Sequence, residues 1–191
     1  MTVLRGMNAT IGAVLACVML TVATQAHAQS EPPPEPEGYW QGAMNGPVPS
    51  TITGGTVVGT ADLAELLRKE KPVLIDVVPA PRRPETQTTL WLPLPHHDIP
   101  RSVWIPGAGS GVISATMTDY FRRRLNELTA NDRGKTLVFY CRVNCWASWN
   151  AAKRAIAEGY KRESWYPDGI EAWQDAGLPT EIAVAEGPGV Q

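Results

Sequence analysis

Cysteine is scarce in this chain, with three residues at positions 17, 141 and 145 among 191. None sits in a Cys-x-x-Cys-His pattern, so covalent attachment of a c-type haem is excluded. Long apolar runs are lacking too. The stretch Ile11 to Val22 is too short and too interrupted to cross a bilayer, and no transmembrane anchor is expected. Neither sign of charge is in real excess: 17 Lys and Arg stand against 19 Asp and Glu, a net charge of −2. That balance gives no basis for binding nucleic acid or an anionic membrane surface. There is no internal repeat, which excludes a solenoid or propeller.

What is present starts with a leader. Arg5 is the only charged side chain in the first 28 residues, and Ala26-His27-Ala28 is a small-x-small cleavage site, so residues 1–28 are expected to be a secretory signal cut after Ala28. Cys17 follows Val14-Leu15-Ala16, but the apolar run continues past it, which argues against a lipid anchor there. The expected location is the periplasm of a bacterium, an oxidising compartment where a pair of thiols is a candidate disulfide. Residues 29–37 are rich in Pro and Glu and read as a tether. Residues 38–59, where Tyr39 and Trp40 alternate with Gly and Pro, read as an arm wrapped on the domain; residues 60–181 are the domain and 182–191 a tail.

The domain alternates strand and helix. Thr60 is the expected N-cap of a helix that presents Leu63, Leu66 and Leu67 on one face. Val73 to Val78 has the unbroken apolar character of a strand buried on both sides. Pro79 to Pro100 is too irregular for either element, and Val103 to Ile105 is a short strand. Met117, Phe121, Leu125 and Leu128 recur at helical spacing, and Asn131 to Gly134 stops that helix. Thr136 to Tyr140 is a strand, Trp146 to Glu158 a helix, Arg162 to Tyr166 a strand and Gly169 to Ala176 a last helix. Such alternation predicts an α/β fold with a parallel sheet covered by helices on both faces. Ligands bind at the carboxyl ends of strands in these sheets, where Cys141 falls.

The loop Cys141-Arg142-Val143-Asn144-Cys145-Trp146 therefore joins a buried strand to a helix start, where unpaired N–H groups and the positive dipole end favour a thiolate. Four segments resemble a rhodanese-like, sulfurtransferase-type domain. They are Val73-Leu-Ile-Asp-Val, Ile99-Pro-Arg-Ser-Val-Trp-Ile-Pro106, Leu137-Val-Phe-Tyr-Cys141 and Asp168-Gly-Ile-Glu-Ala-Trp-Gln-Asp-Ala-Gly-Leu-Pro179. Gly38-Tyr-Trp, Pro47-Val-Pro49, Asp76-Val-Val-Pro-Ala-Pro-Arg-Arg83 and Cys141-x-x-x-Cys145-Trp146 more closely resemble exported "CXXCW motif" proteins associated with PQQ-dependent alcohol catabolism. The resemblance implies a three-layer rhodanese-like domain with Cys141 in the nucleophile position. It also implies a sulfane-sulfur or disulfide substrate, and a quinoprotein dehydrogenase or c-type cytochrome as partner.

The departures from that family matter equally. Its usual loop reads Cys-x-x-Gly-x-Arg, whereas this chain has Asn144 for the Gly and Trp146 for the Arg. Asn tolerates the left-handed conformation that Gly would supply. Losing the Arg removes a fixed cation for a donor such as thiosulfate, unless Arg142 turns inward. The related phosphatase chemistry needs Cys-x5-Arg, and position 147 is Ala. Three readings of the pair stay open: Cys141 carrying a persulfide stabilised by the N–H groups of residues 142 to 146, with Cys145 as resolving thiol; a dithiol that cycles with its disulfide; or a permanent bond. A ring of about five residues contributes only roughly 2 kcal/mol by chain entropy, which weakens the last.

No cofactor and no metal ligand is assigned. A zinc site would need His96 or His97 with Asp98 to join the thiols, and both histidines read as solvent-exposed loop residues. Copper delivery by the exported thiol pair stays conceivable. Trp104, Trp149, Trp165 and Trp173 read as core, and Trp146 either covers the sulfur pocket or packs under the helix start. Arg122, Arg123 and Arg124 read as a solvated helix face. Asp76, at a strand end, is expected to orient a loop donor or pair with an Arg.

Overall fold

The apolar stretches around Ile75 and Phe139 pair as the middle of a parallel sheet, because residues this uniformly hydrophobic are stable only with both faces covered. A computed structural model describes Thr2 and residues 31–188, apart from Arg83, Gln87, Thr89 and Trp91. The expected signal and its cleavage after Ala28 lie outside the described residues, save Thr2, as does Arg83 of the Pro-rich segment. Residues 31–191 belong to one unit. Its elements run β1 (Thr56–Val57), α1 (Thr60–Lys69), β2 (Val73–Asp76), β3 (His97–Asp98), β4 (Ser102–Trp104), α2 (Ala115–Thr129), β5 (Leu137–Tyr140), α3 (Trp146–Ala157), β6 (Glu163–Tyr166), α4 (Gly169–Asp175) and β7 (Glu181–Ile182).

The main sheet has the order β1-β6-β5-β2-β4, all parallel. Asp76 stands beside both Trp104 and Tyr140, and Tyr140 beside Tyr166, so these four residues end their strands at one level. Helices cover both faces. On one side Met117, Phe121 and Leu125 of α2 and Trp149, Ala152 and Ala155 of α3 pack on Ile75, Phe139 and Trp165. On the other, Leu63 of α1 and Ile170 and Trp173 of α4 pack on Leu74, Val138, Tyr140 and Tyr166. Each large apolar side chain buried this way contributes about 1.5–3 kcal/mol before entropy is counted. Trp104, Trp149, Trp165 and Trp173 are all buried, as the pattern predicts.

Local departures have local causes. Thr60 is the first residue of α1 and not its cap; extended Gly59 holds that place without a side-chain bond, and the Thr60 hydroxyl contacts Tyr166 Oη and Asp168 instead. Ser114 caps α2, its hydroxyl accepting from the Met117 N–H at 3.1 Å. The Pro-rich stretch is not wholly irregular, since His97–Asp98 pairs antiparallel with Glu181–Ile182. Two-residue strands carry no periodicity by which a sequence reading finds them. Arg122 and Arg124 do lie on an outward face, where they pair with Glu158 and Glu186.

Candidate functional site

The backbone leaves β5 at Tyr140, and Cys141 follows at once, fully buried. Asn144 has φ +54°, the left-handed turn expected of it, and this curl returns the chain to Cys145, the N-cap of α3. The start of α4 supports the loop from below: the Ile170 N–H donates to the Cys141 carbonyl at 3.0 Å. Gly169 has φ +72°, and a Cβ there would overlap the backbone of Arg142 and Val143. The Asp168-Gly-Ile sequence therefore sets the height of the cysteine loop.

The Sγ atoms of Cys141 and Cys145 lie 2.6 Å apart, unbonded yet closer than two separate thiols pack, the approach of a pair placed to form a disulfide. Cys145 ionises first, held down to about 7 by the thiol of Cys141 and, against its burial, by the N–H groups of Ala147, Arg142 and Ser148. Cys141 is pushed far up, first by its bond to that Cys145 thiolate and then by burial.

The loop N–H groups are only partly free to hold a persulfide. Of the five from 142 to 146, Val143 N–H donates to the Glu171 carboxylate at 3.0 Å and Trp146 N–H to the Met44 carbonyl at 2.8 Å. The Arg142 side chain does not turn in to replace the missing cation. It is exposed and lines an open cleft of about 500 Å³ together with Val78, Leu94 and His96. Val143 and Asn144 are also exposed.

An arm from the N-terminal side closes the site from above. Trp40 stacks on Trp146 with ring centres 4.3 Å apart and planes 12° apart, and Trp146 meets Trp149 edge-on. The Trp40 N–H donates to Asn150 Oδ1 at 2.8 Å, and Asn150 Nδ2 returns a bond to the Trp40 carbonyl at 3.0 Å. Gly46 N–H donates to the Asn144 carbonyl at 2.8 Å, and Asn45 bridges antiparallel to Cys145. Gly111 permits the crossing, since a Cβ there would strike the Trp40 carbonyl. The outcome is that Cys141 is 0% and Cys145 4% exposed. Trp146, at 2%, is packed at the helix start under Trp40 and does not itself form the outer cover. Even the Pro/Glu stretch is engaged: the Glu35 carboxylate accepts from Thr51 Oγ1 and the Thr53 N–H, and Lys153 donates to the Pro36 carbonyl.

Beside the loop, Asp76 pairs, among the described residues, with neither an Arg nor a loop donor of residues 142–146. Its Oδ1 accepts from the Val78 N–H at 2.7 Å, and its Oδ2 lies 2.7 Å from His96 Nε2. The same nitrogen is 3.0 Å from Asp98 Oδ1. His96 is thus not a solvent-exposed loop residue: it is mostly buried, and its ring lies against Trp104 at 4.1 Å, while His97 does face solvent. Burial pushes the Asp76 carboxyl up to about 7 despite the bond from His96. Burial opposes charge on His96 as well, but the bond to Asp76 and the nearby charge of Asp98 outweigh it and lift the imidazole to about 9. Nδ1 or Nε2 of His96 and one oxygen from each Asp fall within 4.8 Å of one another, the donor set of a metal centre. The thiols are not part of that set.

The fold now has a parallel sheet whose cysteine loop lies between β5 and α3, and a model of the rhodanese-like domain matches residues 60–176. The chain belongs to the rhodanese-like domain family. No curated protein matches it. Among solved structures it is similar to the 3-mercaptopyruvate sulfotransferase SseA of Escherichia coli, at 23% identity over 69% of this chain and 53% of that one, with a TM-score of 0.50. It is also similar to the thiosulfate sulfurtransferase of Pseudomonas aeruginosa, at 19% identity over 69% and 21% of the two chains, TM-score 0.46. The human single-domain sulfurtransferase matches at 19% identity over 62% and 95%, TM-score 0.40. At 23% identity the likeness to SseA shows the rhodanese fold alone.

Within the rhodanese-like frame, Trp40, Met44, Asn150, His96 and Asp98 are the site-shaping residues that local sequence patterns did not reveal. One signal was present for two of them. A charged Asp at the end of a doubly buried strand demands a partner, and His96 and Asp98 lie a few residues before β4, the strand that pairs beside it.

Proposed function

We propose that this is an exported, periplasmic rhodanese-like thiol protein whose Cys141 and Cys145 cycle between dithiol and disulfide in service of PQQ-dependent alcohol oxidation. The observation that carries the dithiol reading is the placing of the two sulfurs 2.6 Å apart at the start of α3, close enough for a disulfide to close with little backbone movement, with the N–H groups of Ala147, Arg142 and Ser148 helping to hold Cys145 down to about 7. The sequence resemblance to the CXXCW proteins supports export and the quinoprotein context, with a quinoprotein dehydrogenase or c-type cytochrome as the partner system. Cys141 holds the family's nucleophile position, yet the acidity order favours Cys145 for the first attack. Its thiolate attacks one sulfur of a partner disulfide, and the other partner sulfur leaves as a thiolate and takes up a proton. Cys141 then gives its proton to solvent and attacks Cys145 Sγ, closing the 141–145 bond and expelling the second partner sulfur. Two electrons pass from the pair to the partner. Persulfide transfer is the less supported route, because Val143 and Trp146 have committed their N–H groups and Arg142 faces away.

Redox titration of the mature protein, read by thiol count and intact mass, tests this. A midpoint between about −120 and −270 mV, the range of catalytic dithiols, is expected; a bond that resists reduction below about −300 mV overturns it. Sulfur transfer revives if thiosulfate or polysulfide adds a sulfur atom to the reduced protein. N-terminal sequencing of the exported form checks cleavage after Ala28.

A second reading has its own support in the burial of both sulfurs beneath the arm. In it, the domain is a non-catalytic module that binds its partner while a Cys141–Cys145 bond locks the loop. Cys141→Ser and Cys145→Ser variants then keep partner binding in a pulldown, and loss on either change counts against the module.

A further inference from the structure

The Asp76, His96 and Asp98 cluster is unsatisfied as a purely protein arrangement. Asp98 is 1% exposed, and neither of its carboxylate oxygens has a hydrogen-bond donor. His96 Nε2 is close enough at 3.0 Å, but a ring nitrogen carries at most one proton, and Asp76 Oδ2 is nearer at 2.7 Å. Two buried carboxylates thus compete for one N–H. A buried carboxylate without a donor carries a large desolvation cost, and a group left in that condition calls for an occupant.

We infer that Asp76 Oδ2, Asp98 Oδ1 and His96 Nε2 form a binding site for a divalent first-row transition cation of the Zn²⁺ class. A dication replaces the single proton, lies in reach of both carboxylates at once, and cancels their two charges with the imidazole neutral. One imidazole nitrogen with two carboxylate oxygens suits Zn²⁺, Mn²⁺ or Fe²⁺; Ca²⁺ wants six to eight oxygens and Cu⁺ wants sulfur. Orienting contacts for two of the ligands are already in place. The Val78 N–H fixes the other oxygen of Asp76, and the Trp104 indole, anchored by its own bond to the Val78 carbonyl at 2.7 Å, supports the His96 ring. The path in is the cleft of about 500 Å³ that His96 lines with Arg142. Three protein ligands leave at least one coordination position for water or an anion, a pattern shared with catalytic zinc centres. The site stands independently of the cysteine chemistry, as neither thiol is a member.

The test is metal titration of the chelator-stripped mature protein by calorimetry, with Zn²⁺ and then Co²⁺. One equivalent per chain is expected for wild type and for the Cys141→Ser/Cys145→Ser double variant, with affinity lowered about 100-fold or more in Asp98→Asn and His96→Gln. The Co²⁺ complex of the wild type is expected to show visible d–d bands without a sulfur-to-metal charge-transfer band. No saturable binding, a charge-transfer band, or affinity unchanged in both ligand variants overturns the inference. The Co²⁺ spectrum needs only the wild-type fold, so it decides the matter even if a ligand variant melts early.

Discussion

Replacing Trp40 with Ala removes the ring by which the arm rests on Trp146, next to Cys145, while leaving both thiols, their loop and the core in place. The lost stack on Trp146 is worth about 1 kcal/mol, and the half-buried indole contributes about another 1 kcal/mol of apolar contact. The main-chain bonds of Trp40 to Asn150 survive the substitution, so the arm is weakened and not lost. Opening of the arm becomes easier by about 2 kcal/mol, which converts to a roughly 30-fold higher open population. In the reduced protein at fixed pH, native-state alkylation of Cys145 by a small thiol reagent should accelerate by about that factor. Leu125→Ala is the control, since it lowers global stability by about 2–5 kcal/mol from the core without touching the arm. If Trp40→Ala reacts no faster than wild type, or Leu125→Ala reacts as fast as Trp40→Ala, the thiols are reached by some route other than arm opening and the reasoning fails.

The reduced protein should also have a characteristic pH profile. Cys145 is depressed to about 7 from an ordinary 9.0, so the stability it supplies is present above the unfolded value and lost as pH falls through about 7, up to about 3 kcal/mol in all. Cys141 is raised, so its contribution is full below 9.0 and lost as pH rises beyond it. His96, raised to about 9 from 6.5, loses its contribution over the same interval as pH rises, so the Cys145 effect is read as a difference between two proteins. Under reducing conditions the urea-unfolding stability of wild type minus that of Cys145→Ser is expected to grow as pH rises from about 7 to about 9; a difference that stays constant over that interval would refute the acidity order. Asn144→Ala places a Cβ-bearing residue without Asn's local hydrogen bonding at φ +54° and should cost about 1–2 kcal/mol in a thermal melt, whereas Asn144→Gly should be close to neutral. Identical melting of the two variants would show that the left-handed turn is not maintained.

The sheet and the cysteine loop were legible because their causes are local. An apolar run at 73–78 has no other stable place than a doubly covered strand, and a strand that ends at Tyr140 before a helix starting at Trp146 must put the intervening cysteines at the sheet's carboxyl end. The left-handed Asn144 was legible for the same reason. The arm's contact with the site was not, since the stack of Trp40 on Trp146 joins residues more than a hundred positions apart and leaves no periodic trace. His96 was misread because the prolines around it suppress any pattern, and loop polarity was the simpler explanation. What fixes it is tertiary: a two-residue strand pairs with Glu181–Ile182 and brings Asp98 and His96 over Asp76. Buried polar groups are specified by their partners, and partners are what a single sequence hides.

The cover also separates the two readings of the cysteine pair in kinetic terms. Among the described residues, four hydrogen bonds tie positions 40–46 of the arm to the loop and to α3, from Trp146 to Met44, from Gly46 to Asn144 and the reciprocal pair between Trp40 and Asn150. At about 1 kcal/mol each, with about another 1 kcal/mol for the stack, spontaneous opening costs about 5 kcal/mol and the open fraction is on the order of 10⁻⁴. Exchange with small thiols is slowed by that factor whatever the potential of the pair. A slow reaction with glutathione therefore says nothing about whether the bond is structural, and only the equilibrium midpoint does. A redox-active pair under such a cover needs a partner that lifts the arm as it docks, while a locked module does not. If Trp40→Ala speeds exchange without moving the midpoint, the arm acts purely on access, and the choice between cycling and locking rests on the two sulfurs themselves.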